Sequence, residues 1–146
     1  MPCSFSTKTQ PDSRGSLPAV EKQAAYSYLG AVGLAALAGQ RASTLSGGQA
    51  QRAAIARALA QRPQVLLADE PVASLDPEAA DDIMRLLRRL ATREHLAVLC
   101  VLHQVELAFA YADRVVGIRD GRIAFDRPCA ELPRDAVRQL YLNEAA

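Results

Sequence analysis

The sequence predicts an α/β domain built around a parallel sheet, and three features of the chain support this prediction. Two continuous apolar runs, residues 65–68 and 96–102, have the composition of strands that are buried on both faces. An amphipathic stretch of helical period, residues 77–91, lies between them and completes a strand–helix–strand order. Asp120-Gly121 between two short apolar runs predicts a β-hairpin further along the chain.

Composition and charge limit the classes of protein to which the chain can belong. It has 146 residues, 50% of them hydrophobic and 23% charged, which is a globular composition that fits one domain. The formal net charge of +1 and the scattered Arg residues disfavour a nucleic-acid binder that uses a basic surface. The three cysteines lack metal or redox spacing, which fits a reducing cytosol. No apolar run is long enough to cross a bilayer, so any membrane role is predicted to be peripheral.

The N-terminal part of the chain changes character near residue 18. Residues 1–18 are polar and rich in Ser, Thr and Pro, so we expect them to be disordered or unrelated to the domain over residues 19–146. Apolar residues then recur at helical spacing over residues 19–39, interrupted by Gly30 and Gly33, and predict two short helices or one broken helix. A small amphipathic hairpin packed on the next helix explains this pattern equally well.

The LSGGQ sequence at residues 45–49 opens a helix predicted over residues 48–59, and Pro63 ends that helix. The first N–H groups of a helix have no partner inside it, and glycines there allow an anionic ligand to approach the backbone closely. Such a helix start can hold a phosphate. Ser-Gly-Gly is also common in ordinary loops, so the motif alone is weak evidence.

Asp69 and Glu70 follow the first apolar run, at the strand end where open α/β sheets place their ligands. An aspartate there suits Mg²⁺, which proteins hold through one or two carboxylates together with waters and substrate phosphates. Glu70 would point elsewhere and could orient or deprotonate an attacking water. A solvated acidic pair that ends a strand is the alternative interpretation.

Two further residues mark the ends of elements. His103 ends the second apolar run, and a short right-handed crossover would bring it beside Asp69 at the same sheet edge. Asp76-Pro77 predicts a helix start, because Asp is a strong N-cap and Pro is favoured at the first helical position. Helices are also predicted over residues 105–112 and 130–142.

The motifs SGGQ, DE and SLD and a downstream His, in this order and spacing, resemble the second half of an ATP-binding cassette (ABC) ATPase. The resemblance covers about residues 20–142, and the wording LADEPVASLDP and LHQVELAFAYADRVVGIRDGRIAFD is most similar to the ATPase subunits of phosphonate importers. It implies a partial P-loop NTPase fold, a parallel sheet with flanking helices and a C-terminal hairpin. Residues 19–60 would contain part of the helical subdomain and the signature helix. Residues 61–146 would contain the part of the core that runs from Walker B to the C-terminus.

The resemblance also implies site residues and cofactors, which are ATP and Mg²⁺. Asp69 would be the Walker B metal residue, Glu70 the catalytic carboxylate and His103 the switch histidine that contacts the γ-phosphate. Asp76 would belong to the D-loop, which communicates between two ATP sites. The signature would cap ATP held by a partner subunit, and it consists of Ser46, Gly47, Gly48 and Gln49.

Partners and location follow from the same resemblance. A second ABC ATPase subunit would form a head-to-tail dimer with this one, integral membrane permease subunits would bind the dimer, and a substrate-binding protein would act indirectly. The expected location is the cytoplasmic face of the cell membrane, as a peripheral protein, or otherwise the cytoplasm. No nucleic-acid partner is expected.

The sequence contains no GxxxxGK[ST] loop, the Walker A element that cradles the phosphates of ATP. Loss of about four charge-assisted hydrogen bonds of ~1.5 to 3 kcal/mol each would weaken ATP binding by ~6 kcal/mol or more. The isolated chain, read as a truncated ABC ATPase domain, is therefore predicted to be inactive. The alternative function is a hydrolytically inactive fragment that acts as an interaction module. An unpaired strand edge beside residues 96–102 also predicts marginal stability and self-association.

Overall fold

The structure is a computed structural model that describes residues 18–135 and residue 137. Of residues 1–18, which are expected to be disordered, residues 1–17 lie outside the described residues, as do residues 136 and 138–142 of the helix expected over residues 130–142. Residues 130–131 belong to a 3₁₀ turn and residues 132–133 are not helical, so that helix does not begin at residue 130. The helices and strands, in chain order, are α1 (Ala19–Ala31), α2 (Gly47–Leu59), β1 (Val65–Asp69), α3 (Pro77–Arg93), β2 (Ala97–Val101), α4 (Val105–Tyr111), β3 (Arg114–Arg119) and β4 (Arg122–Pro128). Short 3₁₀ turns occupy Ala35–Leu37, Ala42–Thr44 and Cys129–Glu131.

A parallel strand pair forms the centre of the fold and confirms the predicted α/β class. β1 and β2 pair in parallel, with Val65 opposite Ala97 and Asp69 opposite Val101. The chain crosses from β1 to β2 through α3, as the strand–helix–strand order of the sequence predicts. Both strands therefore end at the same edge of the sheet.

Helix α3 contributes more buried residues to the core than any other element, because its apolar residues share one face. The Asp76 carboxylate accepts a hydrogen bond from the Ala79 backbone N–H at 2.9 Å, and Pro77 is the first helical residue. This confirms the predicted helix start. The buried residues of the helix are Ala80, Ile83, Met84, Leu86, Leu87 and Leu90. They form one cluster with Leu66 of β1 and with Ile55 and Ala56 of α2.

The two strands bury only one face, which corrects the expectation that both apolar runs are buried on both faces. Leu66 is 7% exposed, whereas Leu67 and its partner Leu99 are 71% and 59% exposed. Successive side chains of a strand point to opposite sides, so a single helix layer can cover only every second residue. Among the described residues, α3 covers one side of the pair and no element covers the other.

The N-terminal segment is one helix followed by a turn. α1 ends at Ala31, and Gly33 adopts a φ of +76°, a left-handed conformation that glycine accepts without strain. The residues on either side of this glycine, Val32 and Leu34, are 1% and 3% exposed. The turn therefore places two apolar side chains in the core. Of the two predicted alternatives, one broken helix describes this segment better than two short helices.

The C-terminal hairpin confirms the prediction from Asp120-Gly121. β3 and β4 pair antiparallel, with a register shift between Gly117 and Ile118. Asp120 and Gly121 have φ values of 50° and 70°. Positive φ at both turn residues is what a two-residue hairpin with the right strand twist requires.

Candidate functional site

The carboxyl ends of β1 and β2 form the first group of candidate site residues. Asp69 is the last residue of β1 and lies opposite Val101. The next residue, Glu70, donates its backbone N–H to the Val101 carbonyl at 3.1 Å. Glu70 has a φ of 43°, which is a left-handed conformation. This conformation is unfavourable in free energy for any residue that has a Cβ atom. The chain thus turns sharply where the carboxylates leave the sheet.

Glu70 and His103 meet across the strand ends. The Nε2 atom of His103 lies 2.7 Å from the Oε1 atom of Glu70, although the two residues are 33 positions apart in the sequence. The side chain of His103 is 69% exposed and that of Glu70 is 43% exposed, so solvent and a ligand can reach both. The hydrogen bond fixes the orientation of the carboxylate and provides a route for a proton. A shallow depression at this point is lined by Glu70, Val72, Ala73, Leu102, His103 and Gln104.

Asp69 is the candidate metal ligand, and its surroundings limit how a metal could be held. Among the described residues, no group of three or more His, Cys, Asp or Glu side chains is arranged to hold a metal ion. Asp69 is exposed at the strand end. One carboxylate fits Mg²⁺, which takes its other ligands from waters and phosphate oxygens. It does not fit zinc, which takes three or four protein ligands.

The LSGGQ sequence forms a capping box at the start of α2. The Ser46 hydroxyl accepts a hydrogen bond from the Gln49 N–H at 3.3 Å, and the Gln49 amide oxygen accepts one from the Ser46 N–H at 3.0 Å. These two side chains therefore have a structural role in their own helix. The N–H groups of Gly47 and Gly48 still lack partners inside the helix, as at every helix start.

The two glycines of LSGGQ also have a packing role that sequence reasoning missed. A Cβ atom added to Gly47 would lie 3.3 Å from Leu75 Cδ2, and one added to Gly48 would lie 3.5 Å from Ala79 Cβ. The start of α2 thus lies against the segment that leads into α3. In the sequence, this contact is indicated only by the pair of glycines at the helix start. A phosphate-binding helix start has the same pair of glycines, so the sequence does not distinguish the two roles.

An ion pair holds α2 to α3 behind this contact. Arg52 and Asp82 are 2.6 Å apart, with side chains 29% and 49% exposed. Further along α3, Arg88 is 2.5 Å from Asp113, just before β3. The hydrogen bond from Arg88 lowers the pKa of the Asp113 carboxyl. Sequence reasoning identified neither pair, because residues 25 and 30 positions apart meet only in the folded chain.

The structure therefore divides the predicted site residues into two groups. Asp69, Glu70 and His103 lie at the strand ends, and the LSGGQ residues lie beside the Asp76 helix cap. Within the described part of the chain, no hydrogen bond or ion pair joins the two groups. No described helix is long and apolar enough to span a bilayer.

The fold and a family match together indicate the class of protein. The ABC transporter family profile matches residues 3–73. This match begins inside residues 1–18, where the sequence alone offered no resemblance. The chain is similar to the ABC transporter family over these residues, and its fold is that of the ABC cassettes, which are P-loop NTPases.

Two relatives show where in that family the similarity lies. The phosphonates import ATP-binding protein PhnC of Nocardia farcinica is 59% identical over 117 residues, which are 80% of this chain and 44% of the relative. The phosphate-import ATP-binding protein PhnC of Mycolicibacterium smegmatis is 56% identical over 117 residues, again 80% of this chain and 44% of the relative. The chain spans less than half the length of these relatives.

Solved structures agree with the family assignment. The ADP conformation of an ATP-binding cassette of an ABC transporter has a TM-score of 0.75 and 26% identity, with 84% of this chain and 50% of that chain covered. A dimeric cassette in a post-hydrolysis state, bound to ADP and phosphate, has a TM-score of 0.65 and 34% identity, with 80% and 50% covered. These likenesses confirm the predicted fold.

Proposed function

We propose that the chain is the part of an ABC importer ATPase that supplies the Walker B, switch and signature groups. ATP hydrolysis by the complete subunit would drive uptake of a phosphorus oxyanion, a phosphonate or phosphate. The observation that carries the proposal is the hydrogen bond between His103 and Glu70, next to Asp69, where the two parallel strands end. The names of the two relatives support the importer class and the substrate class.

Each group at the strand ends has a distinct role in this proposal. Asp69 would hold Mg²⁺ through its carboxylate, and the ion would neutralise charge on the phosphates of ATP. Glu70 would orient the attacking water and accept its proton, which requires a carboxylate within hydrogen-bond reach of the water. His103 would hold the Oε1 atom of Glu70 and leave its second oxygen for that water.

The signature would serve ATP bound to another subunit. In a head-to-tail dimer, Ser46, Gly47 and Gly48 would face the γ-phosphate on the partner, with the helix N-terminus directed at negative charge. Gln49 would keep the turn in shape through the capping box. Asp76 would place the D-loop at the same interface. The similar cassette that was solved as a dimer with ADP and phosphate supports this arrangement.

The partners follow from the importer class. The dimer would bind integral membrane permease subunits and be peripheral on the cytoplasmic face of the membrane. A substrate-binding protein would deliver the substrate to the permease and would not contact this chain.

A fused cassette tests the proposal. The chain is joined to the part of the Nocardia farcinica relative that it does not match, and ATP hydrolysis is measured with Mg²⁺. Glu70→Gln should lower the rate about 10²-fold or more while ATP still binds, because the water loses its base. Glu78→Gln, an acidic residue in the first turn of α3, is the matched control and should keep the rate. A folded fusion that binds ATP and hydrolyses it equally well with Glu70→Gln would overturn the proposal.

A second candidate function is an interaction module without hydrolytic activity. It is favoured by the absence of a GxxxxGK[ST] loop from the sequence and by the exposed apolar side of β1 and β2. If the chain is such a module, calorimetry should show no saturable binding of Mg-ATP to the chain by itself. Tight binding by the chain alone would exclude it.

A further inference from the structure

The start of α2 lies against α3 through contacts that involve few atoms. A Cβ atom on Gly47 would lie 3.3 Å from Leu75, and one on Gly48 would lie 3.5 Å from Ala79. Dispersion attraction grows with the number of atom pairs in contact, so an interface of glycine and alanine holds two helices together only weakly. These contacts alone therefore leave the position of the LSGGQ helix start poorly fixed.

Arg52 makes the next contact along the same faces of the two helices. Gly48 and Arg52 are four positions apart and share a face of α2. Their counterparts on α3, Ala79 and Asp82, are three positions apart and share a face of that helix. Arg52 lies 2.6 Å from Asp82, and among the described residues this is the only hydrogen bond or ion pair between α2 and α3.

The guanidinium group of Arg52 also contacts a third element. Its Nη2 atom pairs with Asp82, and its Nη1 atom is 3.6 Å from the position that a Cβ atom on Gly33 would take, in the turn after α1. The Arg52 side chain is 29% exposed, so protein atoms cover most of it. Because the guanidinium is planar and rigid, Arg52 connects α2, α3 and this turn in a defined geometry.

The carboxylate that Arg52 binds has no competing cation in the described part of the chain. The neighbouring carboxylate on α3, Asp81, is bound by Arg85 at 2.6 Å and by the hydroxyl of Tyr111. Arg85 is thus engaged with Asp81, and Arg52 is the one described cation within ion-pair distance of Asp82. The two neighbouring carboxylates therefore hold different elements.

We infer that Arg52 is a positioning residue, which holds the start of α2 against α3 so that the signature keeps the orientation that the phosphate on the partner subunit requires. A partly exposed ion pair contributes little to stability, so the contact serves geometry. A displacement of about 1 Å in a binding group can lower a rate about 10²-fold. The inference rests on the proposed function, because it takes the LSGGQ residues as the ones that face that phosphate.

Hydrogen exchange tests the contact in the 146-residue chain as it stands. Arg52→Met keeps an apolar stem and removes the charge. The amides of residues 49–53 include the Ala50 N–H, which donates to the Ser46 carbonyl at 2.8 Å. Their exchange should become about threefold faster or more, since the helix start opens more often without the ion pair. Asp82→Asn should have the same effect, and the double variant should not exceed it.

Arg57→Met is the matched control for this measurement. Arg57 is also on α2 and is exposed, and no hydrogen bond or ion pair of its side chain is found among the described residues. The control should leave exchange of residues 49–53 unchanged. No acceleration by Arg52→Met, or equal acceleration by both variants, overturns the inference. If the chain associates, the same amides are followed in the fused cassette.

The fused cassette tests the consequence for the reaction. Arg52→Met should lower the rate of ATP hydrolysis about tenfold or more, because the signature is displaced from the phosphate that it serves. The affinity of a single subunit for ATP should stay unchanged, since the signature does not contact ATP bound to its own subunit. Arg57→Met should change neither quantity.

Mixed dimers show on which ATP site Arg52 acts. With Arg52→Met in one subunit and Glu70→Gln in the other, both changes fall on one site and the second site stays intact. With both changes in one subunit, each site has one defect. The first dimer should therefore hydrolyse ATP faster than the second. Equal rates, or the reverse order expected if Arg52 supported only the strand ends of its own subunit, overturn the inference.

The outcomes separate this inference from the proposed function. Faster exchange with unchanged hydrolysis by the Arg52→Met fused cassette overturns the inference, while the proposed function stands. Faster exchange together with a fused cassette that folds and binds ATP but does not hydrolyse it shows that the contact holds α2 in place. That result overturns the proposed function, and with it the role in hydrolysis given to the contact.

Discussion

The Nε2 atom of His103 lies 2.7 Å from the Oε1 atom of Glu70, across the ends of two strands that pair in parallel. The contact depends on the register of the strands, since Asp69 and Val101 are opposite each other and Glu70 and His103 follow within two residues. Under the proposed function, a change at either residue should affect ATP hydrolysis by the fused cassette without disturbing the core.

His103→Ala in the fused cassette should lower the rate of ATP hydrolysis about 10²-fold, because Glu70 loses the group that orients it. ATP affinity should change much less than the rate, and the two are measured by single-turnover kinetics and equilibrium binding. His95→Asn is the control: His95 is exposed and has a φ of 51°, a conformation that Asn tolerates. Equal rates for both variants would contradict a role of His103 at Glu70.

The two glycines of LSGGQ should respond differently to substitution. Gly47→Val should destabilise the chain by about 1–3 kcal/mol, because the new Cβ would lie 3.3 Å from Leu75 Cδ2 and Val adds two further methyl groups. Gly48→Ala has ordinary contact distance to Ala79 and gains up to ~1 kcal/mol of helix propensity. Urea unfolding measures both. If Gly48→Ala keeps stability and abolishes hydrolysis in the fused cassette, the glycine serves ligand binding; unchanged hydrolysis would argue for packing alone.

The N-cap of α3 should contribute measurably to stability. Asp76→Ala removes the acceptor of the 2.9 Å hydrogen bond from Ala79 and should cost about 1 kcal/mol. Asp76→Asn keeps an equivalent cap and should cost much less. Thermal unfolding of the three proteins measures the difference. A loss of equal size with Asn would mean that the charge, and not the cap, is what stabilises the helix.

Acid should weaken the chain through its ion pairs. Hydrogen bonds from Arg88 and Arg114 lower the folded-state pKa values of Asp113 and Asp126 below the value near 3.9 of an unfolded chain. Their contribution is thus present above pH ~4 and is lost as the pH falls through the folded-state pKa. Both pairs are exposed to solvent, so each contribution should be small. Asp113→Asn should reduce the acid dependence of urea midpoints, and Arg88→Met should reduce it equally.

The isolated chain should self-associate without a fixed stoichiometry, because in the described residues the apolar side of β1 and β2 that carries Leu67 and Leu99 is exposed and the outer edges of the two strands are unpaired. Sedimentation velocity should show a broad distribution that Leu67→Asp narrows toward the monomer. A sharp, reversible unfolding transition of a monomeric protein, independent of concentration, would contradict this expectation.

Local chemistry made much of the fold predictable. Asp76-Pro77 specifies a helix start and Asp120-Gly121 a hairpin turn, because each acts through neighbouring backbone atoms. The burial of the strands was not predictable from apolar composition, since burial depends on what covers the sheet. Leu99 has the sequence signature of a core residue and is 59% exposed.

The site was predictable in part for the same reason. Motif spacing predicted Asp69, Glu70 and His103 as candidate site residues, and the structure shows that the last two are in contact. The contact of Gly47 with Leu75 is tertiary, and the sequence around a glycine does not say what the missing side chain would have met.

The left-handed conformation of Glu70 has a consequence for folding. At a φ of 43°, a residue with a Cβ carries a cost on the order of 1–3 kcal/mol that glycine would avoid. Glycine at this position would ease the turn out of β1 and remove the carboxylate that His103 binds. Foldability and chemistry thus compete at a single backbone position. The net free energy of unfolding of a domain of this size is only about 5–15 kcal/mol, so the cost at Glu70 is a sizeable fraction of it.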